Sequence, residues 1–424
     1  MEILLFLLGV AGGVFAGLIP GIGVFTTLVL LYPFLMDLTI HQLLILYIPL
    51  ASISQFIGSV PALYFKIPGE ATSFIATEYG HKLFVKGEYD LIPLTAIGSF
   101  IATLLSALLI LSLPFVYENM FHQFLSTKFV FFLILVTGAC LIGTSKNNWV
   151  LSTLMIIAGL LLGNVGFNVS TGQFFGTFGN TWLTYGIPLF PFIVSLYVLP
   201  SILNLNSNQI TNRSVDTAYK KTLLNLKPYI GKMLSGSFIG MIAGFVPVIG
   251  KIVGVSVSRT LYKNSDKNSV VAAESSNNSS IFTAMIPLFL FGVPITLGEI
   301  IIFNIAETNF NLEQEFRAML SNPLLSLLIL TSGAVGLLLS WPLARYFTFA
   351  FKLPMPVIKL VLFSIVMGSL FYIGITNNML WYYLIITLLL WPVGHALRNQ
   401  DVIPLIFAFI FAKMSMTIIE RIMI

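Results

Sequence analysis

Long apolar runs separated by short polar stretches dominate this chain of 424 residues. Runs such as Ile97–Phe115 and Leu324–Trp341 show no strict alternation of apolar and polar positions, so they predict helices rather than the strands of a membrane barrel. A helix needs about 20 apolar residues to span a bilayer, and the chain length therefore allows roughly 10–12 crossings. The pattern predicts an all-α polytopic membrane protein.

Composition supports this class and excludes several others. Hydrophobic residues make up 57% of the chain and charged residues 9%, whereas soluble domains are about 25% charged. A soluble enzyme, a nucleic-acid-binding protein and a disordered regulator are therefore excluded. The single cysteine, Cys140, cannot form an intrachain disulfide. The first residues lack the basic start and cleavage site of a signal peptide, so the first segment is expected to be retained.

One long polar stretch, residues 204–232, predicts a basic loop between two membrane repeats, 1–203 and 233–424. Prolines support a repeat, because Pro61 and Pro68 match Pro287 and Pro294 at an offset of 226. Seven further positions match at an offset of 227, namely Gly9, Gly13, Ala16, Gly17, Pro20, Ile22 and Gly23 with Gly236, Gly240, Ala243, Gly244, Pro247, Ile249 and Gly250. Repeats with broken helices at corresponding places are typical of secondary transporters.

Loop charges predict how the repeats are oriented, since Lys and Arg concentrate on the cytoplasmic side of a membrane. The loop Asp37–His41 has no Lys or Arg, whereas its counterpart carries Arg259, Lys263 and Lys267. After the second broken segment the bias reverses. This opposite phase predicts two inverted repeats with broken helices or re-entrant hairpins. Basic residues flank both ends of Met233–Val257, which favours a hairpin there.

Two matching proline-glycine segments, Leu18–Gly23 and Phe245–Gly250, are candidates for a binding site. Proline removes a backbone donor and glycine tolerates unwound backbone, so free carbonyls can hold a cation and helix N-termini a carboxylate. A simple proline kink is the alternative. The candidate residues are Pro20, Gly21, Gly23, Pro247 and Gly250.

A third candidate segment contains two prolines and a cation within an apolar run, and the prolines predict a hairpin or a second broken helix there. Lys66 is predicted either to be a counter-charge for an anionic substrate or to extend to the membrane interface. The candidate residues in this segment are Ser59, Lys66, Pro68 and Gly69.

The fourth candidate is a row of seven polar residues that enters an apolar segment ending at Pro294. Glu274 is a candidate to bind a proton or Na⁺, and Asn277 and Asn278 offer amide donors and carbonyl acceptors. The alternative is a solvated loop capped by Ser or Asn. The candidate residues are Glu274, Ser275, Asn277, Asn278 and Pro294.

Other patterns predict packing or exclude chemistry. Glycine recurs at every fourth position in each repeat, which predicts close helix packing rather than a site. The chain has no HExxH metal motif and no phosphate-binding loop, and its four histidines lack ligand spacing, so no enzyme is predicted. A channel, a scaffold without coupled transport and a membrane-embedded enzyme remain alternatives to a transporter.

Together these segments resemble the large membrane subunit of the tripartite tricarboxylate transporters. The resemblance rests on segments that occur in the family's order: Gly13–Gly23, Gly58–Gly69, Lys86–Phe100, Gly163–Gly179 and Ala273–Pro294. The string Glu274–Asn278 is the most specific of them, and beyond Pro294 the chain matches only as hydrophobic helices. The chain is shorter than typical large subunits and resembles the compact branch common in archaea.

The resemblance implies a permease in the cytoplasmic membrane that takes up a carboxylate anion such as a di- or tricarboxylate. It implies a Na⁺ or H⁺ gradient as the driving force and a substrate site between inverted repeats. The implied partners are a small four-helix membrane subunit and an extracytoplasmic substrate-binding protein. No cofactor is implied beyond a coupling ion, for which Na⁺ near Asn277 and Asn278 is a candidate.

Overall fold

A computed structural model describes most of the chain, in these ranges: 1–19, 23–66, 73, 75–116, 127–145, 147–168, 172–203, 222, 225–247, 250–263, 265–291, 293–309, 322–350 and 355–423. Nine α-helices precede residue 204 within these ranges, namely α1 (Glu2–Leu18), α2 (Gly23–Leu35), α3 (Ile40–Phe65), α4 (His81–Val85), α5 (Leu91–Val116), α6 (Thr127–Thr144), α7 (Trp149–Gly163), α8 (Leu189–Ile193) and α9 (Leu199–Leu203). A π-helical turn, Ala76–Gly80, precedes α4, and a second, Val194–Val198, joins α8 to α9.

Among the described residues eight α-helices begin after residue 226, the first of them inside the polar stretch 204–232 that was predicted to be a loop. They are α10 (Lys227–Ala243), α11 (Gly250–Leu261), α12 (Asp266–Phe291), α13 (Leu297–Asn309), α14 (Leu324–Ala350), α15 (Met355–Thr376), α16 (Leu380–Ala396) and α17 (Ile403–Met423). The predominantly helical fold class is therefore confirmed.

One short β-hairpin departs from the all-α prediction. Its strands are β1 (Gly166–Asn168) and β2 (Gln173–Phe175), which pair antiparallel. Gly166 and Gly172 both have positive φ values, +111° and +68°. These backbone conformations suit glycine and end helical geometry, so this glycine-rich stretch forms a ribbon instead of extending α7.

Four helices of the described residues are long and apolar enough to cross a membrane, by length and composition. They contain the segments Ile40–Tyr64, Leu91–Phe115, Leu324–Arg345 and Pro356–Thr376. Shorter apolar helices accompany them. The chain is a membrane protein, and the count of roughly 10–12 crossings remains a prediction.

The helices form two compact units, and each unit draws helices from both sequence halves. The first unit contains α1, α3, α4 and α5 together with α10 to α14. The second contains most of α2, then α6 to α9 and α15 to α17. The candidate residues described below lie in the first unit.

Two helix pairs of the first unit pack through their glycines in the same way. Three glycines of α1 lie against the α3 backbone, and two glycines of α10 with the glycine that directly follows it lie against the α12 backbone. The pairs are Gly9–Leu46, Gly13–Leu50, Gly17–Ser54, Gly236–Ala272, Gly240–Ser276 and Gly244–Ser280. A Cβ at any of these glycines would collide with a backbone oxygen of the neighbouring helix. The packing prediction is therefore confirmed. Moreover, α3 and α12 each have 26 residues, and their bounds differ by 226 at both ends.

Helices from the two sequence halves also cross inside the first unit. Gly98 of α5 lies against the Ser275 side chain of α12. In the other half, Gly336 of α14 packs on the ring of Phe56 in α3. The core of this unit is therefore built jointly by α3, α5, α12 and α14.

The helix breaks at both proline-glycine segments are confirmed. The first break lies between α1 and α2, and the second lies between α10 and α11. After the second break the chain folds back, because the Ser235 hydroxyl of α10 lies 2.8 Å from the Tyr262 hydroxyl beyond the end of α11. Gly254 in the middle of α11 packs on Ala243 and Gly240 of α10. Thus α10 and α11 form an antiparallel hairpin, whereas α2 runs from the first unit into the second.

Two prolines that were expected to interrupt helices do not. Pro61 lies inside α3 and Pro287 inside α12, and these helices end only at Phe65 and Phe291. Proline removes a single intrahelical hydrogen bond. In α3 residues 43–64 are all buried, and this packing holds the helix continuous across the lost bond.

Candidate functional site

The polar row of the fourth candidate segment lies in the middle of α12. All seven residues from Glu274 to Ser280 are at most 1% exposed. The alternative of a solvated, capped loop is therefore wrong. Burying polar side chains costs free energy unless they are hydrogen-bonded or bind a ligand. The partners of these side chains therefore determine what the segment can bind.

Most hydroxyls of this row are satisfied within the helix. Ser275 donates to the Val271 carbonyl at 2.9 Å, and Ser280 donates to the Ser276 carbonyl at 2.8 Å. Such bonds to the preceding turn let serine lie in a helix without water. Ser279 also donates to the Ser237 carbonyl of α10 at 2.8 Å, which ties the two helices together.

The two asparagines connect α12 to helices of the first half. Asn277 Nδ2 donates to Gln55 Oε1 of α3 at 2.9 Å. Asn278 Nδ2 donates to Ser99 Oγ of α5 at 2.7 Å and to the Glu274 carbonyl at 3.1 Å. The polar row thus lies where α3, α5 and α12 meet, and its amide donors are used in holding these helices together.

Several buried oxygens of this junction have no hydrogen-bond partner among the described residues. They are Glu274 Oε1, Ser276 Oγ, Asn277 Oδ1 and Asn278 Oδ1, all on α12. Residues 274, 277 and 278 are spaced three and four apart, so their side chains share one helical face. A buried polar atom without a partner costs about 1–3 kcal/mol. The junction therefore has unused acceptor capacity and suits a positively charged or hydrogen-donating ligand.

The first helix break lies close to the connection between α12 and α13. Gly23, with φ +58°, begins α2. A Cβ on Gly298, in the first turn of α13, would come within 3.2 Å of Val24 and Tyr47. The break before α2 therefore adjoins the break between α12 and α13, where Pro294 is buried.

The second break adjoins the polar row. Pro247 and Gly250 are buried at the tip of the α10–α11 hairpin. Four residues further along α11, a Cβ on Gly254 would lie 2.9 Å from Ser276 Oγ. The start of α11 is thus a neighbour of the unpartnered oxygens.

The third segment has a different environment. Ser59 is buried and donates to the Phe56 carbonyl of its own helix at 3.0 Å. Lys66 is exposed and ends α3 in a left-handed conformation with φ +60°. Its two predicted roles both remain predictions. Four candidates lie outside the described residues: Pro20, Gly21, Pro68 and Gly69.

Sequence reasoning missed several residues of the junction. Gln55 and Ser99 hold the two asparagines, and Ser276 carries an unpartnered hydroxyl. Glu299 is fully buried in the first turn of α13. The signal that would have found Glu299 and Gln55 is a polar or ionisable residue within an apolar run, which is a functional hypothesis in a membrane segment.

An ion-pair cluster lies where the connection before α5 meets the first turn of α12. Lys267 Nζ lies 2.7 Å from Glu88 Oε2 and 2.6 Å from Asp90 Oδ2. The hydrogen bond from Lys267 holds the pKa of Glu88 below its ordinary value. Burial acts to lower the pKa of Lys267, but the bonds to Asp90 and Glu88 outweigh it and raise that pKa.

Comparison with known proteins gives the family. Residues 3–407 match the tripartite tricarboxylate transporter TctA family. The chain belongs to this TctA family. It is 28% identical over 305 residues to a protein of Agrobacterium vitis described as "Uncharacterized 52.8 kDa protein in TAR-I ttuC' 3'region". That match covers 68% of this chain and 60% of the length of the relative. No solved structure matches the chain.

Membership of the TctA family has direct consequences. The TctA family is a family of transporter components rather than of enzymes. Members of the family normally work with TctB and TctC partners. The comparisons give no support to the archaeal-like branch that the chain length suggested.

Among the described residues no three His, Cys, Asp or Glu side chains form a metal-binding group.

Proposed function

We propose that this TctA-family chain is the permease of a di- or tricarboxylate uptake system in the cytoplasmic membrane, coupled to Na⁺ or H⁺. The observation that carries the proposal is the group of unpartnered oxygens on α12, which includes a carboxylate oxygen of Glu274. Buried ionisable groups without a partner in a membrane protein mark ion or proton pathways. A scaffold would gain nothing from them.

The chemistry of these oxygens assigns them to the coupling cation rather than to the substrate. Carboxylate and amide oxygens accept hydrogen bonds, and a carboxylate substrate also offers only acceptors. Direct contact between the substrate and Glu274 would be repulsive. A cation held by Glu274, Asn277 and Asn278 satisfies these oxygens and attracts the anion, which couples the two bindings.

The substrate carboxylates are proposed to bind at helix N-termini and basic groups near the breaks. Backbone amides and the positive end of the helix dipole favour an anion there. The described residues assigned to this role are Gly23, Lys66, Pro247, Gly250 and Pro294. Ser59 and Ser275 lie inside α3 and α12, and they are proposed to line the site from within these helices. The assignment extends to Pro20, Gly21, Pro68 and Gly69, which lie outside the described residues.

The repeat organisation is proposed as well: residues 1–203 and 233–424 form inverted repeats joined by 204–232. Equal lengths of α3 and α12 at a constant offset support it. Matching glycine faces on α1 and α10 support it further. Re-entry of the α10–α11 hairpin into the membrane belongs to the same proposal. Binding of the cation and the substrate together neutralises the charge of the site. We propose that this neutralisation permits the helices that carry the site to move between the two sides of the membrane.

Uptake of carboxylates by vesicles tests the function. The chain is reconstituted with its cognate TctB and TctC partners, and a Na⁺ or pH gradient is imposed. Glu274→Gln and Asn277→Ala are expected to abolish gradient-driven uptake with folding intact, because both change the oxygens that hold the cation. Ser332→Ala is the control, since Ser332 is a buried serine that donates only to the Leu328 carbonyl of its own helix.

Two outcomes count against the proposal. Undiminished uptake by both variants contradicts the assigned site. Flux that rises linearly with substrate concentration, without saturation, favours a channel over a carrier. A thermal-shift screen of the purified chain against carboxylates, with and without Na⁺, identifies the substrate, because a ligand of the folded state raises the Tm.

A further inference from the structure

A second buried carboxylate lies outside the polar row of α12. Glu299 belongs to the first turn of α13, directly after the break that follows α12. Its Oε2 accepts the backbone N–H of Ile295 at 2.9 Å and that of Thr296 at 3.0 Å. Thr296 Oγ1 in turn accepts the N–H of Glu299 at 3.4 Å. This is a reciprocal capping box.

Capping accounts for only one of the two carboxylate oxygens. Oε1 of Glu299 has no hydrogen-bond partner among the described residues, and the side chain is 0% exposed. The box that starts α3, Thr39 with Gln42, is exposed and uses a neutral amide. The α3 box shows that a capping box in this chain does not need a buried carboxylate. The carboxylate at Glu299 therefore requires another explanation.

Burial of Glu299 disfavours a negative charge on its carboxylate, and the polar surroundings offset this cost only in part. Two N–H donors and the N-terminus of α13 favour the anion. Lys251, in the first turn of α11, attracts the carboxylate electrostatically, but the structure shows no ion pair between them. Tyr47 of α3 is the titratable side chain next to Gly298. The ionisable residues of α12 are Asp266, Lys267 and Glu274. All three lie in the first nine residues of this helix, whereas Glu299 follows its C-terminal end.

From this geometry we infer that Glu299 Oε1 is a second site for a single positive charge, Na⁺ or H⁺, separate from Glu274. The inference rests on the proposed function. The Glu299 site adjoins Tyr47, whereas the Glu274 cluster adjoins Gln55, and these α3 residues are eight positions or about 12 Å apart. A substrate with two or three negative charges needs more than one compensating charge, and a second cation supplies it.

The experiment measures the Tm of the purified chain without substrate in two arms. One arm replaces choline by Na⁺ at constant ionic strength, and the other varies pH without Na⁺. Glu299→Gln keeps the capping box, as Gln42 does, but removes the charge. It is expected to lose more than half of the Na⁺-dependent or pH-dependent rise in Tm. The arm that responds identifies the ion.

Two variants separate a cation site from capping. Thr296→Val removes the hydroxyl acceptor and retains the charge, so its Tm falls while its ion dependence stays. Glu274→Gln removes the first site and is expected to leave the response that depends on Glu299. If Glu299→Gln keeps the full dependence in both arms, or if the unmodified chain shows none, the inference is overturned. Failure of carboxylate uptake with this dependence intact would refute the transport proposal alone.

Discussion

Ser99 is a single hydroxyl on which the buried amide of Asn278 depends. The 2.7 Å bond joins α5 to α12, and both side chains are buried. Ser99→Ala removes this acceptor, and the remaining bond of the amide to the Glu274 carbonyl limits the loss. We expect the free energy of unfolding to fall by about 1 kcal/mol, measured by denaturation in detergent.

A serine of the same helix provides the control for this prediction. Ser112 is exposed and donates only to the Leu109 carbonyl, so Ser112→Ala should change stability by less than about 0.5 kcal/mol. A double-mutant cycle of Ser99→Ala with Asn278→Ala should show a non-additive interaction. Strict additivity would mean that the bond contributes nothing.

At the scale of elements, the glycine face of α10 decides how closely this helix approaches α12. A Cβ at Gly240 would collide with the Ser276 carbonyl and the Ser279 hydroxyl, whereas a Cβ at Gly231 would meet nothing within 4 Å. Both glycines lie in α10 and differ only in what they face. Substitutions by alanine should therefore have opposite signs.

Gly240→Ala should destabilise the chain by about 1–3 kcal/mol, because overpacking forces the backbones of α10 and α12 apart. Gly231→Ala should stabilise it by up to about 1 kcal/mol through helix propensity. Thermal unfolding of the two variants against the unmodified chain checks both signs. Equal effects at the two positions would contradict close packing at Gly240.

At the scale of the whole molecule, the Lys267 cluster links the two sequence halves. Because the pKa of Glu88 is lowered, its contribution to stability is present above the ordinary range of glutamate and lost as pH falls through the lowered value. Because the pKa of Lys267 is raised, its contribution is present below the ordinary range of lysine and lost as pH rises through the raised value. Both contributions are present at neutral pH.

Lys267→Met should therefore lower stability at neutral pH by at most about 1 kcal/mol, since the partners are partly exposed. Its loss of stability in acid should be smaller than that of the unmodified chain. Lys263→Met, at an exposed lysine, is the control. Unfolding curves at several pH values measure both, and an unchanged acid profile in Lys267→Met would contradict the prediction.

Inversion of the repeats is tested across the membrane. Asp37 and Lys263 are exposed, correspond at the offset of 226, and lie beside α3 and α12. In a chain with Cys140→Ala, the variants Asp37→Cys and Lys263→Cys should react with an impermeant thiol reagent from opposite sides. Labelling of right-side-out and inside-out vesicles measures this. Reaction from the same side would refute inverted repeats.

Local chemistry explains which parts of the fold were predictable. The breaks before Gly23 and Gly250 follow from proline and glycine, whose effect on the backbone acts within one turn. The glycine faces of α1 and α10 were predictable because their period matches the helix. Pro61 and Pro287 show the limit, since surrounding helices hold α3 and α12 continuous in spite of the proline.

The candidate site was predictable only in part. The row from Glu274 to Ser280 is evident from polarity alone, but sequence could not distinguish a solvated loop from a buried helix. Gln55 and Ser99 are more than 170 positions away from their asparagine partners. Only packing of α3 and α5 on α12 selects them.

By itself, then, the sequence determined the helical membrane class, the helix breaks and the resemblance to tricarboxylate permeases, because these depend on composition and on periods of a few residues. Tertiary structure alone decided that the row from Glu274 to Ser280 is buried and which of its oxygens lack hydrogen-bond partners. It also decided that the α10–α11 hairpin adjoins Ser276. Burial and hydrogen-bond satisfaction arise from contacts between distant segments, and no local pattern specifies them.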